Sequence, residues 1–188
     1  MPTKSLVIGA AVVALSVGIS ARHGGQQSEE VQQQMMMAME NMAKVMLDMP
    51  MADRPQYMMR QQNESTARGK ALFADASLGR NGRTCDSCHP GGGTTGGEAE
   101  IPMQGRFPMN PQLPIPTLVG ASASFPKYKV PNDAVITLAT MNNNCMKMFM
   151  MGDGVDLGSP QARDLAAFVS TLSNGEEVAV GRMEMMQR

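Results

Sequence analysis

Cysteine, histidine and methionine carry the chemistry of this sequence. Residues 85–89 read Cys-Asp-Ser-Cys-His. Two thiols one helical turn apart reach the two vinyl groups of a single haem and form thioethers. The adjoining imidazole then faces the iron from the same side, which is why C-x-x-C-H marks c-type haem attachment. The competing use is a redox C-x-x-C pair that happens to precede a histidine. The motif occurs once, so the expectation is one covalent haem c held by Cys85 and Cys88, with His89 as an axial ligand.

The chain has three cysteines, and the odd one is Cys145 in Thr-Met-Asn-Asn-Asn-Cys-Met-Lys-Met-Phe-Met-Met-Gly, residues 140–152. Compartment bears on its role. Lys4 opens an uncharged apolar or small run over residues 5–20, followed by Ala21 and Arg22. That reads as a signal peptide over 1–21 and a periplasmic destination, with a membrane association only if the segment is retained. In an oxidising compartment thiols normally pair, and three cannot all do so. Export also favours haem over a redox pair at Cys85 and Cys88.

His, Met and Cys all serve as axial ligands of haem iron. The second histidine of the chain is His23, just past the expected cleavage site and far from the motif. The distal position is therefore left to Met or Cys. On a helix, Leu138, Met141, Cys145 and Met148 share one apolar face, with Thr140, Asn143, Asn144 and Lys147 on the other. Met141 and Met148 lie one turn either side of Cys145. Thiolate binds ferric iron more strongly than thioether, which favours Cys145. Its other reading is a buried free thiol acting as a small hydrophobe. Met109, in a loop 20 residues after His89, is a further distal candidate, though early in the chain; Met103 is earlier still.

Elements must bring these residues together. A helix capped at Ser65 or Thr66 should carry Gly69, Leu72 and Phe73 on one face, with Gly69 admitting a close helix crossing. Asn81-Gly82 marks a turn before the haem motif. Residues 90–131 are rich in Pro and Gly and read as one long loop able to wrap a haem edge. Pro131-Asn132-Asp133 should open a helix that runs to about Met151 and stops at Gly152. Ser159 and Pro160 start a final helix that buries Leu165, Phe168, Val169 and Leu172. The whole is expected to be all-α.

The segment around Gly69–His89 resembles the first part of bacterial cytochromes c, where a G-x-x-L-F helix precedes the haem motif. Residues 142–173, with an Asn-x-Cys helix, a Gly, a Ser and a closing Leu-Ala-x-Phe-Val-x-x-Leu-Ser helix, resemble thiosulfate dehydrogenases and the SoxA haem protein of the sulfur-oxidising Sox complex. The small His/Cys-ligated cytochromes of anammox bacteria are similar too. The resemblance spans roughly residues 63–175 and implies a cytochrome c fold with Cys145 as distal ligand. Thiosulfate dehydrogenases usually carry two haems and the Sox protein needs a partner chain, whereas this sequence has one motif.

Ten of the 21 methionines fall between Met35 and Met59. Met35, Met39, Met42, Met46 and Met49 repeat at near-heptad spacing on one helix before Pro50. The stripe reads as a packing surface for the haem domain or for a partner, as a homodimer or heterodimer; a cuprous site is the other use of such thioethers. The expected organisation is signal peptide 1–21, Met-rich helical arm 22–62, cytochrome c domain 63–175 and tail 176–188. With formal net charge −1, nothing points to nucleic acid as a partner. The expected function is one-electron transfer to a redox partner protein. Two alternatives stand beside it: binding or sensing of NO or CO, and service as the haem subunit of a thiosulfate-oxidising complex.

Overall fold

A computed structural model describes residues 29–100 and 112–182 of the 188-residue chain. The signal segment, His23, Met103, Met109 and the end of the tail lie outside the described residues. Two compact units are present, Met1–Tyr57 and Met58–Arg188. The boundary falls inside a helix rather than at the expected residue 62.

In the first unit, residues 29–43 form helix α1, which ends in a wider π-type turn over Lys44–Asp48. Arg54 satisfies carbonyls that this end leaves open, donating from Nε to Met49 O at 3.2 Å and from Nη2 to Met46 O at 2.7 Å. Met35, Met36, Met39, Met42 and Met46 are all more than half exposed. Among the described residues no helix is long and apolar enough to cross a membrane.

The second unit is mainly helical. Helix α2 spans Arg54–Phe73, α3 Cys85–Cys88, α4 Leu138–Phe149 and α5 Pro160–Thr171. The α2 start differs from the expected cap at Ser65. No breaker interrupts residues 56–64, and the Ser65 hydroxyl donates instead to Asp164 Oδ1 at 2.6 Å. Arg68 completes that junction, donating from Nε at 2.6 Å and Nη2 at 3.0 Å to the same carboxylate. Gly69 permits the crossing of α2 and α5: a Cβ there would collide with the Asp164 carbonyl and come within 2.8 Å of Phe168 Cβ. Phe73 and Phe168 meet edge to face, centroids 5.2 Å apart, and join Met146, Met150, Leu165 and Val169 in the core.

The unit is mainly helical, as expected of a cytochrome c-like domain, and two short antiparallel ladders are added to the helices. Strand β1 (Gly97–Glu100) pairs antiparallel with β2 (Gln112–Ile115), and β3 (Lys127–Lys129) with β4 (Ala134–Ile136). Residues 90–131 are thus not one irregular loop, because short ladders satisfy part of their backbone. The helix expected from Pro131 begins only at Leu138. Val135 and Ile136 are β-branched and pair with β3, Asp133 takes a left-handed φ of 48°, and Thr137 caps α4 by accepting from Thr140 N. The last helix forms as expected: Ser159 caps it, Pro160 is its first residue, and Leu165, Phe168 and Val169 are buried.

Candidate haem site

The haem motif is held by its own short helix. Thr84 Oγ1 accepts from Ser87 N and Ser87 Oγ accepts from Thr84 N, both at 3.0 Å, a reciprocal cap on α3. Sequence reasoning missed this cap, although Thr-Cys-Asp-Ser carries its signal. Asp86 Oδ1 accepts from Gly92 N at 2.7 Å and closes the turn after His89. A Cβ on Gly97 would come within 2.7 Å of the Cys88 carbonyl, so β1 packs on this helix because residue 97 is glycine.

His89 is oriented for ligation. Its Nδ1 lies 2.9 Å from the Pro116 carbonyl, which can only accept, so Nδ1 carries the proton and Nε2 keeps its lone pair. Burial lowers its pKa, with the Pro116 bond opposing, and so favours the neutral ring that a metal requires.

The motif and α4 are tied together. Asn81 Nδ2 donates to the Phe149 carbonyl at 2.9 Å, and Arg80 N donates to the Met150 carbonyl at 2.8 Å. Arg83 Nη1 donates to Glu100 O at 2.9 Å. Helical spacing puts Asn143 on the wet side of α4, and the structure corrects that. It is 7 % exposed, accepting from Val155 N at 2.9 Å and donating to Val155 O at 2.6 Å. The loop after α4 is thereby pinned beneath the helix, so an asparagine does the work expected of an apolar side chain.

Between these elements lies a cavity of about 220 Å³. Cys85, Cys88 and His89 line it together with Leu138, Met141, Asn142, Cys145 and Phe149 of α4 and with Phe73, Leu165 and Val169. All three cysteines are free thiols. Met141 lies in the wall beside Cys145, as the helical spacing implied. Met148 does not: it is 38 % exposed and absent from the wall. The last turn of α4 widens, with Met150 N donating to Cys145 O, and Phe149 takes the cavity position.

Burial pushes the Cys145 thiol up to about 11; the nearby Cys88 adds to this and the Lys129 charge opposes it. Burial likewise raises Cys85 to about 12, with Cys145 and Cys88 contributing. These thiols stay protonated until chemistry or a cation removes the proton. Asn142 Nδ2 is buried without an acceptor among the described residues. Two thiols beside an imidazole with a free Nε2, a third thiol in the same cavity wall and a buried amide without an acceptor among the described residues fit a covalently held haem.

Fold and site together resemble a c-type cytochrome domain. Residues 114–178 match the SoxA/TsdA cytochrome c domain family. A thiosulfate dehydrogenase of Allochromatium vinosum is 29 % identical over 121 residues, covering 61 % of this chain and 40 % of that protein. The chain thus spans well under half the length of that relative. It carries a cytochrome c haem domain resembling those of SoxA and TsdA.

Proposed function

We propose that the protein is a periplasmic monohaem cytochrome that passes single electrons to a partner protein, with His89 and Cys145 as axial ligands. The observation that carries this reading is the convergence of Cys85, Cys88, His89 and Cys145 on one cavity. When bound, haem c supplies a one-electron ferric/ferrous couple. Cys85 and Cys88 would hold it covalently, and His89, oriented by the Pro116 carbonyl, would present Nε2. Cys145 would supply a thiolate, which would favour the ferric state. Leu138, Phe149, Leu165 and Val169 exclude water, which limits reorganisation on electron transfer. Ile115, Pro116, Thr117 and Leu118 of the Pro/Gly-rich segment line the cavity, and the Met-rich arm serves partner or self association.

A second reading is oxidation of a sulfur compound together with a partner protein, favoured by the thiosulfate dehydrogenase match. Exposing the reduced protein to NO or CO, and the oxidised protein to thiosulfate, separates the uses. A carrier keeps its Soret band in both. Rapid tight binding of gas supports the sensing alternative, and reduction by thiosulfate supports the sulfur reading.

A further inference from the structure

The methionines of the first unit take no part in the haem cavity. Residues 29–53 contain eight methionines, one leucine and no isoleucine. A seam built only for packing uses Leu, Ile and Val, whose shapes specify a partner better than a flexible methionine does. The choice of methionine adds what hydrophobicity does not need, a sulfur with lone pairs. Position agrees. Met35, Met39, Met42 and Met46 stand at i, i+4, i+7 and i+11 along α1 and into its π-type end. They share one face, with Cβ atoms of successive members about 5–6 Å apart. Each is between 53 % and 61 % exposed, so these side chains are open to an ion from solvent. Arg54 Nη2 donates to the Met46 carbonyl at 2.7 Å and fixes the backbone of the last of them.

The chemistry of the donors selects the ion. Thioethers are soft and neutral and suit Cu(I), whereas imidazole and carboxylate suit Cu(II) and the harder divalent ions. Residues 29–53 hold no histidine and no cysteine, which leaves methionine as their soft donor. Charge favours a cation as well: Glu29, Glu30, Glu40, Asp48 and Asp53 stand against Lys44 in this stretch. We propose that Met35, Met39, Met42 and Met46 form a cuprous site, in which thioethers from neighbouring turns close on one Cu(I). Three rotatable bonds in each side chain let the sulfurs converge without moving the helix. The ion exchanges water for thioether sulfur and keeps its oxidation state, and no proton is released. The inference does not rest on the haem reading.

The test uses full-length holoprotein in which Met35, Met39, Met42 and Met46 are all replaced by leucine. Met39→Leu with Met42→Leu is the milder variant. Met37→Leu, on the opposite face of α1, is the control. Each protein, with isotopically labelled methionine methyl groups, is titrated with Cu(I) without oxygen, and with Ag(I) in chloride-free buffer as a redox-inert stand-in. Methyl resonances and the copper retained after gel filtration are recorded. Parent and Met37→Leu should retain one equivalent of Cu(I) that the four-fold variant lacks, and the double variant should bind more weakly than the parent. The methyl resonances that shift in the parent should be the ones missing from the four-fold variant. Free thiols at Cys85, Cys88 or Cys145 would bind copper alike in every variant and so cancel in the comparison. Leucine keeps the apolar surface and the helix propensity, so a stripe used only for packing would leave all the proteins alike. Equal copper retention by parent and four-fold variant would overturn the proposal, as would loss of the equivalent in Met37→Leu or methyl shifts confined to other methionines. The double variant carries the same comparison if the four-fold variant fails to accumulate.

Discussion

Asp164 is the residue whose replacement should most clearly weaken the frame around the haem cavity. It sits on α5, 5 % exposed, and accepts three charge-assisted or neutral hydrogen bonds, two from Arg68 and one from Ser65. These bonds hold α2 against α5 where Gly69 brings the backbones together, and so set Phe73 against Leu165 and Val169. Asp164→Asn keeps the shape but loses the charge and one acceptor oxygen. A hydrogen bond to a charged group contributes about 1.5–3 kcal/mol. The Arg68 side chain is 59 % exposed, so its share is screened. A net loss of about 2 kcal/mol follows, or roughly 5–10 °C in Tm for a domain of this size. The pH dependence has a definite sign. The Arg68 hydrogen bonds hold the Asp164 carboxyl below its ordinary value, against the effect of burial. Its stabilisation is therefore complete above the unfolded value of about 3.9 and lost as pH falls through the folded value. Thermal unfolding of holoprotein, followed by far-ultraviolet circular dichroism, should separate parent and Asp164→Asn at pH 7, with the gap starting to close only below about pH 4 and vanishing beneath the lowered folded value. Equal Tm values at pH 7, or a gap that stays constant into acid, would refute the reasoning.

Other outcomes follow from the same geometry. Cys85→Ser combined with Cys88→Ser should yield protein that loses all haem in acid-acetone extraction; normal covalent holoprotein would overturn the attachment assignment. Gly69→Ala should cost several kcal/mol, because a new Cβ meets the Asp164 backbone, and its urea midpoint should fall well below the parent's. Deleting residues 22–57 should leave the haem spectrum unchanged while weakening self-association or partner binding in analytical ultracentrifugation. A changed spectrum would place the methionine stripe in the haem environment.

Local signals in the sequence located much of this site. Cys-x-x-Cys-His needs no context, and Ser159-Pro160 caps a helix by its own side-chain chemistry. Gly69 at a helical position announced a close crossing that the α2–α5 contact realises. The failures were non-local. Ala134–Ile136 becomes a strand because β3 lies beside it, and only the fold supplies β3. Asn143 looked solvated because its partner, the Val155 backbone, is twelve residues away. Met148 missed the cavity because the face through Leu138, Met141, Asn142 and Cys145 continues to Phe149, one turn after Cys145.

The central claim is that His89 and Cys145 ligate one covalent haem from opposite sides of the cavity. Near-infrared magnetic circular dichroism of the ferric protein, recorded on parent and Cys145→Ala, tests it most directly. The account predicts a low-spin parent with a thiolate-to-iron charge-transfer band that vanishes in Cys145→Ala, leaving an open iron or one recruiting Met141. A methionine-to-iron band in the parent that survives Cys145→Ala would contradict it and turn attention to Met141 and Met109.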